Sequence, residues 1–261
     1  MACHKLFSIT CLAIGLILIG FSQTLSAAQK NKTIKIGIST SFPPFNYLNE
    51  NGKISGYNAD IAMAVCRKIK AHCEFTLLPF PQVIPALEAN EIQLAASNLL
   101  RTEERAKRIN FSAKYYRSTS SLLGHMDNST QKPVEVIKNP DTSIAVTAGS
   151  TQWRYLSDHA KGEILVKASI GETMLALQKS QVDYILIPTL FALNFLERPE
   201  NDNLDFVGLP LEEKTLSGDV HLGITKADPE LKIQVDQAIQ ALVNSGELRA
   251  LSKKYFPFNV Y

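Results

Sequence analysis

Three stretches of this chain carry residue types suited to holding a small anion: Ser39 to Phe45, Ser97-Asn98-Leu99-Leu100-Arg101-Thr102-Glu103-Glu104-Arg105, and Gly149-Ser150-Thr151. All three read as strand-to-helix junctions. In the second and third, a helix start exposes unpaired N–H groups and the positive end of the helix dipole, which attract negative charge. Thr102 and Thr151 add hydroxyl donors, and Arg105 adds a planar fork that can grip both oxygens of one carboxylate. The chemistry this points to is recognition of a small carboxylate. The other reading of Arg105 is an ion pair with a neighbouring glutamate on a solvated helix, and residue types alone leave both open. Nucleophilic catalysis has little support, because Ser150 lacks an assembled His-Asp pattern. His125, His159 and His221 fall on dissimilar elements, so no metal site and no cofactor is expected.

Positioning these junctions requires an alternation of strands and helices. Ile34–Ile38 is β-branched and alternating, and Asn49-Glu50-Asn51-Gly52 is a turn. Asn58 or Asp60 can cap a helix running to about Lys70, and a strand covers Glu74–Leu78. A helix starts at Pro81 and a short strand runs from Ile92 to Ala96; Thr102 caps the turn that holds Arg105. Further strands are expected at 120–123, 143–147, 164–166, 184–187, 204–207 and 220–224. Helices are expected after Gly149, at 173–179, at 189–196, from Pro229 to Asn244, and beyond Gly246 to Tyr255. Trp153 is expected to pack among them. This order implies βαβ units and mostly parallel sheets, an α/β fold that binds ligands where strand ends meet helix starts.

The first 28 residues read as a secretory signal. His4 and Lys5 precede an apolar run from Leu6 to Phe21, and Ser26-Ala27-Ala28 offers small residues for cleavage. Removing it takes away Cys3 and Cys11 and leaves Cys66 and Cys73 in the segment Cys66-Arg-Lys-Ile-Lys-Ala-His-Cys73. In an oxidising compartment two thiols so close are expected to pair. The formal charge of +2 falls to +1 when Lys5 is lost, which gives no electrostatic case for nucleic acid.

Several segments together resemble the bacterial periplasmic amino-acid-binding proteins of ABC importers, most of all the lysine/arginine/ornithine and histidine binders. They are Gly56-Tyr-Asn-Ala-Asp-Ile-Ala62, the Cys66 and Cys73 pair, Val83-Ile-Pro-Ala-Leu87, Thr102 to Tyr116, and Lys253 to Tyr261. The resemblance implies a two-lobed periplasmic binding protein of the type II fold, with the ligand cleft between the lobes and two hinge strands crossing between them. It implies a first lobe of 29–117 plus 215–261 and a second of 118–214. It places the ligand carboxylate on Arg105, with donors at Ser97 and Asn98 and in the turn Gly149, Ser150 and Thr151, and aromatics at Phe42 and Phe80. An amino acid or related small carboxylate, an inner-membrane ABC permease and a monomeric state follow from the same likeness. The chain departs from that pattern at Pro188, where such proteins hold the ligand ammonium with an aspartate. It departs at Ser39, where binders of cationic side chains carry an acid, and at Leu100, which stands for a serine donor. Either another acid such as Asp219 or Glu172 has taken the ammonium, or the ligand is not a standard α-amino acid. A stand-alone sensor module, or a dehydratase acting on cyclohexadienyl acids, is the alternative on the same fold; the latter needs an acid where Pro188-Thr-Leu-Phe191 stands.

Overall fold

The alternating run at the start of the described chain becomes the second strand of a five-stranded sheet, with Ile34, Ile36 and Ile38 buried and Thr33 and Lys35 outward. The computed structural model describes residues 33–39 and 43–261. The expected signal at 1–28 and Phe42 lie outside these.

In chain order the first half runs β1 (Thr33–Ile38), β2 (Tyr47–Leu48), β3 (Ile54–Ser55), α1 (Tyr57–Lys68), β4 (His72–Leu77), α2 (Val83–Glu88), β5 (Leu94–Leu100), α3 (Glu103–Arg108) and β6 (Asn110–Ser118). Then come β7 (Ser120–His125), α4 (Pro133–Ile137), β8 (Ser143–Thr147), α5 (Thr151–His159), β9 (Glu163–Lys167), α6 (Ile170–Gln178), β10 (Tyr184–Pro188), α7 (Thr189–Leu196) and β11 (Leu204–Phe206). The chain closes with β12 (Gly218–Ile224), α8 (Pro229–Asn244) and α9 (Glu247–Ser252).

The two large sheets make two lobes. The first is ordered β4-β1-β5-β12-β6 and the second β11-β7-β10-β8-β9. Only Thr119 separates β6 in the first sheet from β7 in the second, and the chain returns through the segment before β12. The expectation of mostly parallel sheets needs correction. In the first sheet β1 runs parallel to β4 and β5, but β12 is antiparallel to β5 and β6. In the second, β8 is parallel to β9 and β10, while β7 is antiparallel to β10 and β11. The reason is the crossing: a strand that enters from the other lobe runs against the local βαβ direction. The crossing strand β6 answers to one of the two hinge strands that the resemblance implies, although the residue pattern placed no strand at 110–118.

Cys66, near the end of α1, is bonded to Cys73, the second residue of β4. Closing so short a loop stabilises the fold by about 2–3 kcal/mol on the chain-entropy account. α1 is not capped by Asn58 or Asp60. It begins at Tyr57 behind Gly56, with no side-chain cap, and Asn58 is buried inside its first turn. Backbone bonds do the work instead: Tyr57 N–H donates to the Pro44 carbonyl at 2.9 Å and Asn58 N–H to that of Phe45 at 3.2 Å.

Gly56 permits this join. Its φ is +123°, and a Cβ there would stand 2.2 Å from the Phe45 carbonyl oxygen. Neither the backbone region nor the clash with main chain has a cheap escape. Gly56→Ala is therefore expected to cost about 2–4 kcal/mol, combining strain with displacement of the Phe45 loop. Urea unfolding would show it as a lower midpoint at unchanged slope.

Candidate functional site

A cleft of about 380 Å³ opens between the two sheets, within the usual range for small-molecule sites. The first lobe lines it with Ser39, the Leu77–Phe80 segment, Ser97, Asn98, Leu100, Arg105, Tyr116 and Ser118. The second contributes Thr147, Ser150, Thr151, Gln152, the start of α6, Leu186, Pro188 and Phe191. The three sequence junctions thus meet around one space.

Arg105 is placed by a short helix. The Thr102 hydroxyl caps α3 by accepting the Arg105 N–H at 3.2 Å. This cap sets where the side chain departs, and the guanidinium turns back toward β5. One amino group donates to the Leu100 carbonyl at 2.9 Å, and the other crosses the cleft to the Gly149 carbonyl at 3.0 Å. The Phe80 ring lies 6.0 Å away. Arg105 is only 8% exposed, and burial pulls its pKa down to about 10, partly offset by the charge of Glu104. It stays cationic at neutral pH. No described carboxylate lies in salt-bridge contact with it; Glu104 pairs with Arg154 of the second lobe instead. The ion-pair reading of Arg105 therefore has no partner here.

Beside it, the end of β5 is wired by a polar network. The Ser97 hydroxyl accepts the Ser39 N–H at 3.1 Å, and Asn46 donates to the Ser39 and Ala96 carbonyls. Asn98 adopts φ +56°, which turns the strand end. Its Oδ1 accepts from Asn58 Nδ2 at 3.0 Å and from the Tyr116 hydroxyl at 2.6 Å. Asn58 in turn accepts from the Tyr115 hydroxyl at 2.7 Å. Burial holds both phenols well above their ordinary pKa, so both remain donors.

On the opposite wall Gly149 takes φ +70° and stands against Pro81 of the first lobe, where a Cβ would sit 3.4 Å from its Cα. Ser150 caps α5. Its hydroxyl accepts the Trp153 N–H at 3.0 Å and donates to the Thr147 carbonyl at 2.7 Å. The proton of that hydroxyl is committed to the helix, so the donors this turn can offer a ligand are the N–H groups of Thr151 and Gln152, which have no acceptor among the described residues. Thr151 is buried, its hydroxyl 3.4 Å from Gln152 Oε1.

These are the geometric features that family comparison meets. Residues 34–258 match the bacterial extracellular solute-binding proteins, family 3. The chain belongs to that family. The lysine/arginine/ornithine-binding periplasmic protein of Escherichia coli K12 is 29% identical over 251 residues, covering 94% of this chain and 96% of that one. The solved substrate-binding protein of an amino acid ABC transporter is 26% identical with a TM-score of 0.78, covering 87% of this chain and all of the other. An ancestral amino-acid-binding protein described as a precursor of cyclohexadienyl dehydratase has the same TM-score of 0.78 at 23% identity, over 89% of this chain and 99% of that one, a likeness of fold alone. The expected family and two-lobed type II fold stand, and so does the solute-binding function outside the cytoplasm. The relatives are binding proteins. Among the described residues no helix is long and apolar enough to cross a membrane.

Within this solute-binding protein the two candidate acids separate. Asp219 lies on β12 outside the cleft, 3.6 Å from Lys114 and 3.9 Å from Arg117. Glu172 does line the cleft, exposed, with Oε2 accepting the Ala168 N–H at 3.3 Å as part of the α6 cap. Asp183 is turned away and holds Ser143. Trp153 is 39% exposed rather than packed in the second lobe, because its position on α5 faces outward. The histidines each have a local contact: His125 with Asn203, His159 with the Tyr155 carbonyl, His221 with that of Ser112. Tyr116, Gln152 and Phe191 line the site without having been singled out in sequence. Gln152 and Phe191 sit beside junctions already marked, and Tyr116 closes the segment Thr102 to Tyr116.

Proposed function

We propose that this chain is the periplasmic receptor of an ABC importer and that it captures an amino acid or related small carboxylate between its lobes. The observation that carries the reading is Arg105: a buried guanidinium in an interlobe cleft, bonded among the described residues to backbone carbonyls, with no described carboxylate in salt-bridge contact. A buried cation of this kind is stabilised when an anion arrives. In this reading Ser97, Asn98 and the Gly149-Ser150-Thr151 turn supply further donors to the ligand, and Phe80 flanks its side chain. The lobes are 29–117 with 215–261, and 118–214, moving about their connecting strands. The receptor is a monomer that hands its ligand to an inner-membrane permease, and it carries out no covalent step. A dehydratase would need an acid at the cleft end of α7, which opens with Thr189, Leu190 and Phe191; the next acid downstream, Glu197, is at its far end.

A thermal-shift screen of refolded protein against amino acids, 2-oxo acids and small carboxylates tests this. A true ligand at a hundredfold over its Kd adds about 2.7 kcal/mol of stability and raises the midpoint accordingly. A flat response across all three classes would sink the proposal.

A further inference from the structure

We infer that, within the carboxylate class proposed above, the cleft selects acids that lack an α-ammonium: 2-oxo or 2-hydroxy carboxylates with an apolar body. The inference rests on Arg105 as the anchor and follows from the balance of charge around it.

The groups around the anchor that carry positive charge or point an N–H into the cleft are these. Arg105 retains N–H groups beyond the two it gives to carbonyls. Asn98 is oriented by its neighbours: its oxygen already takes two hydrogen bonds, so its amide presents Nδ2 as the unused end. The first two N–H groups of α5 have no described acceptor.

Anionic acceptors, by contrast, are scarce. The Leu100 and Gly149 carbonyls are engaged by Arg105. The Ser118 and Ser150 hydroxyls donate to the Thr119 and Thr147 carbonyls, and the Thr147 hydroxyl pairs with that of Thr173, so these oxygens can accept a hydrogen bond but carry no charge. At the end of β10 and the start of α7 the wall is Leu186, Pro188 and Phe191. Glu172 is the one acid among the described lining residues; it is exposed and engaged with the Ala168 N–H.

An α-ammonium is attached to the carbon next to the carboxylate, so it must enter wherever the carboxylate does. Stripping its water without supplying a counter-charge costs several kcal/mol. A 2-oxo oxygen or a hydroxyl in the same place is an acceptor and meets the donors instead. The apolar wall accommodates a hydrocarbon or aromatic body.

Calorimetry of the refolded protein with matched pairs decides the matter: pyruvate and alanine, 4-methyl-2-oxopentanoate and leucine, phenylpyruvate and phenylalanine. The expected result is at least one 2-oxo acid binding tenfold or more tightly than its amino acid, with no pair reversed. An amino acid that binds as tightly as its partner, or amino-acid binding that collapses in Glu172→Gln, overturns the inference. If that amino-acid binding is lost in Arg105→Ala, the carboxylate-receptor reading survives and only the preference falls. If neither member of any pair binds, both fall.

Discussion

Arg105→Ala is expected to weaken binding of the carboxylate ligand at least a hundredfold, while moving the unliganded thermal midpoint by no more than about 3 °C. The first half follows from geometry. A guanidinium held at two points by backbone carbonyls is already oriented and largely desolvated, so little reorganisation is left for the bound state. Losing a charge-assisted pair of hydrogen bonds is worth about 3 kcal/mol, and 2.7 kcal/mol is a hundredfold. The second half follows from the missing partner. No described carboxylate is left stranded when the cation goes, and the costly burial of a charge is removed with it. The freed carbonyls of Leu100 and Gly149 border the cleft, where water can replace the lost donors. A change of 1 kcal/mol in a domain of this size moves the midpoint by about 2–4 °C, which sets the bound. Calorimetric titration and a melting scan of the same preparation measure both halves. A large loss of unliganded stability with preserved affinity would make Arg105 a structural clasp between the lobes. Arg105→Lys refines the result: it keeps the charge but not the two-pronged grip, and should recover only part of the affinity.

What the sequence disclosed about this site follows the range of the interactions. Thr102 as a cap and the placement of Arg105 three residues on were legible, because the cap acts on the next turn of the same helix. The strand 143–147 and the helices 189–196 and 229–244 were read at their observed limits, since apolar runs, Pro229 and Gly246 punctuate them locally. Asn58 shows where local reasoning stops. Its residue type suits a helix cap, yet the fold uses it as a buried relay between Tyr115 and Asn98, residues 57 and 40 positions away. Ser150 shows the reverse: it lies where a ligand donor was expected, but its hydroxyl is consumed by the helix it starts. β6 was not legible because its partner β12 lies some hundred residues downstream, beyond the second lobe. The same distance hid the antiparallel pairings. Choosing between Asp219 and Glu172 likewise required knowing which strand faces the cleft.

The other large effect is expected at Phe191. This residue belongs to α7 of the second lobe, yet its ring centre lies 4.5 Å from that of Phe45 in the first. Phe45 is itself set among Tyr116 and Phe256, at 5.3 and 5.4 Å, and is fully buried. Phe191 therefore plugs one lobe into the aromatic core of the other, and only 3% of it is exposed. Separation of the lobes must withdraw it. Its burial contributes about 1.5–3 kcal/mol, with roughly another 0.5–1.5 kcal/mol from ring geometry. Much of that stabilises the closed arrangement specifically, whereas the exposed Arg154–Glu104 pair that also spans the lobes contributes little. Phe191→Ala should shift the unliganded protein toward an open form, seen as a larger radius of gyration in solution scattering. Ligand must then supply the closing energy, so apparent affinity should fall by about ten- to a hundredfold. The effect should be smaller in Phe191→Leu, which keeps apolar volume in the socket. A loss of stability with unchanged dimensions and unchanged affinity would mean that the ring only packs α7 in place. Arg105 and Phe191 would then differ in kind: one gripping the ligand, the other irrelevant to closure.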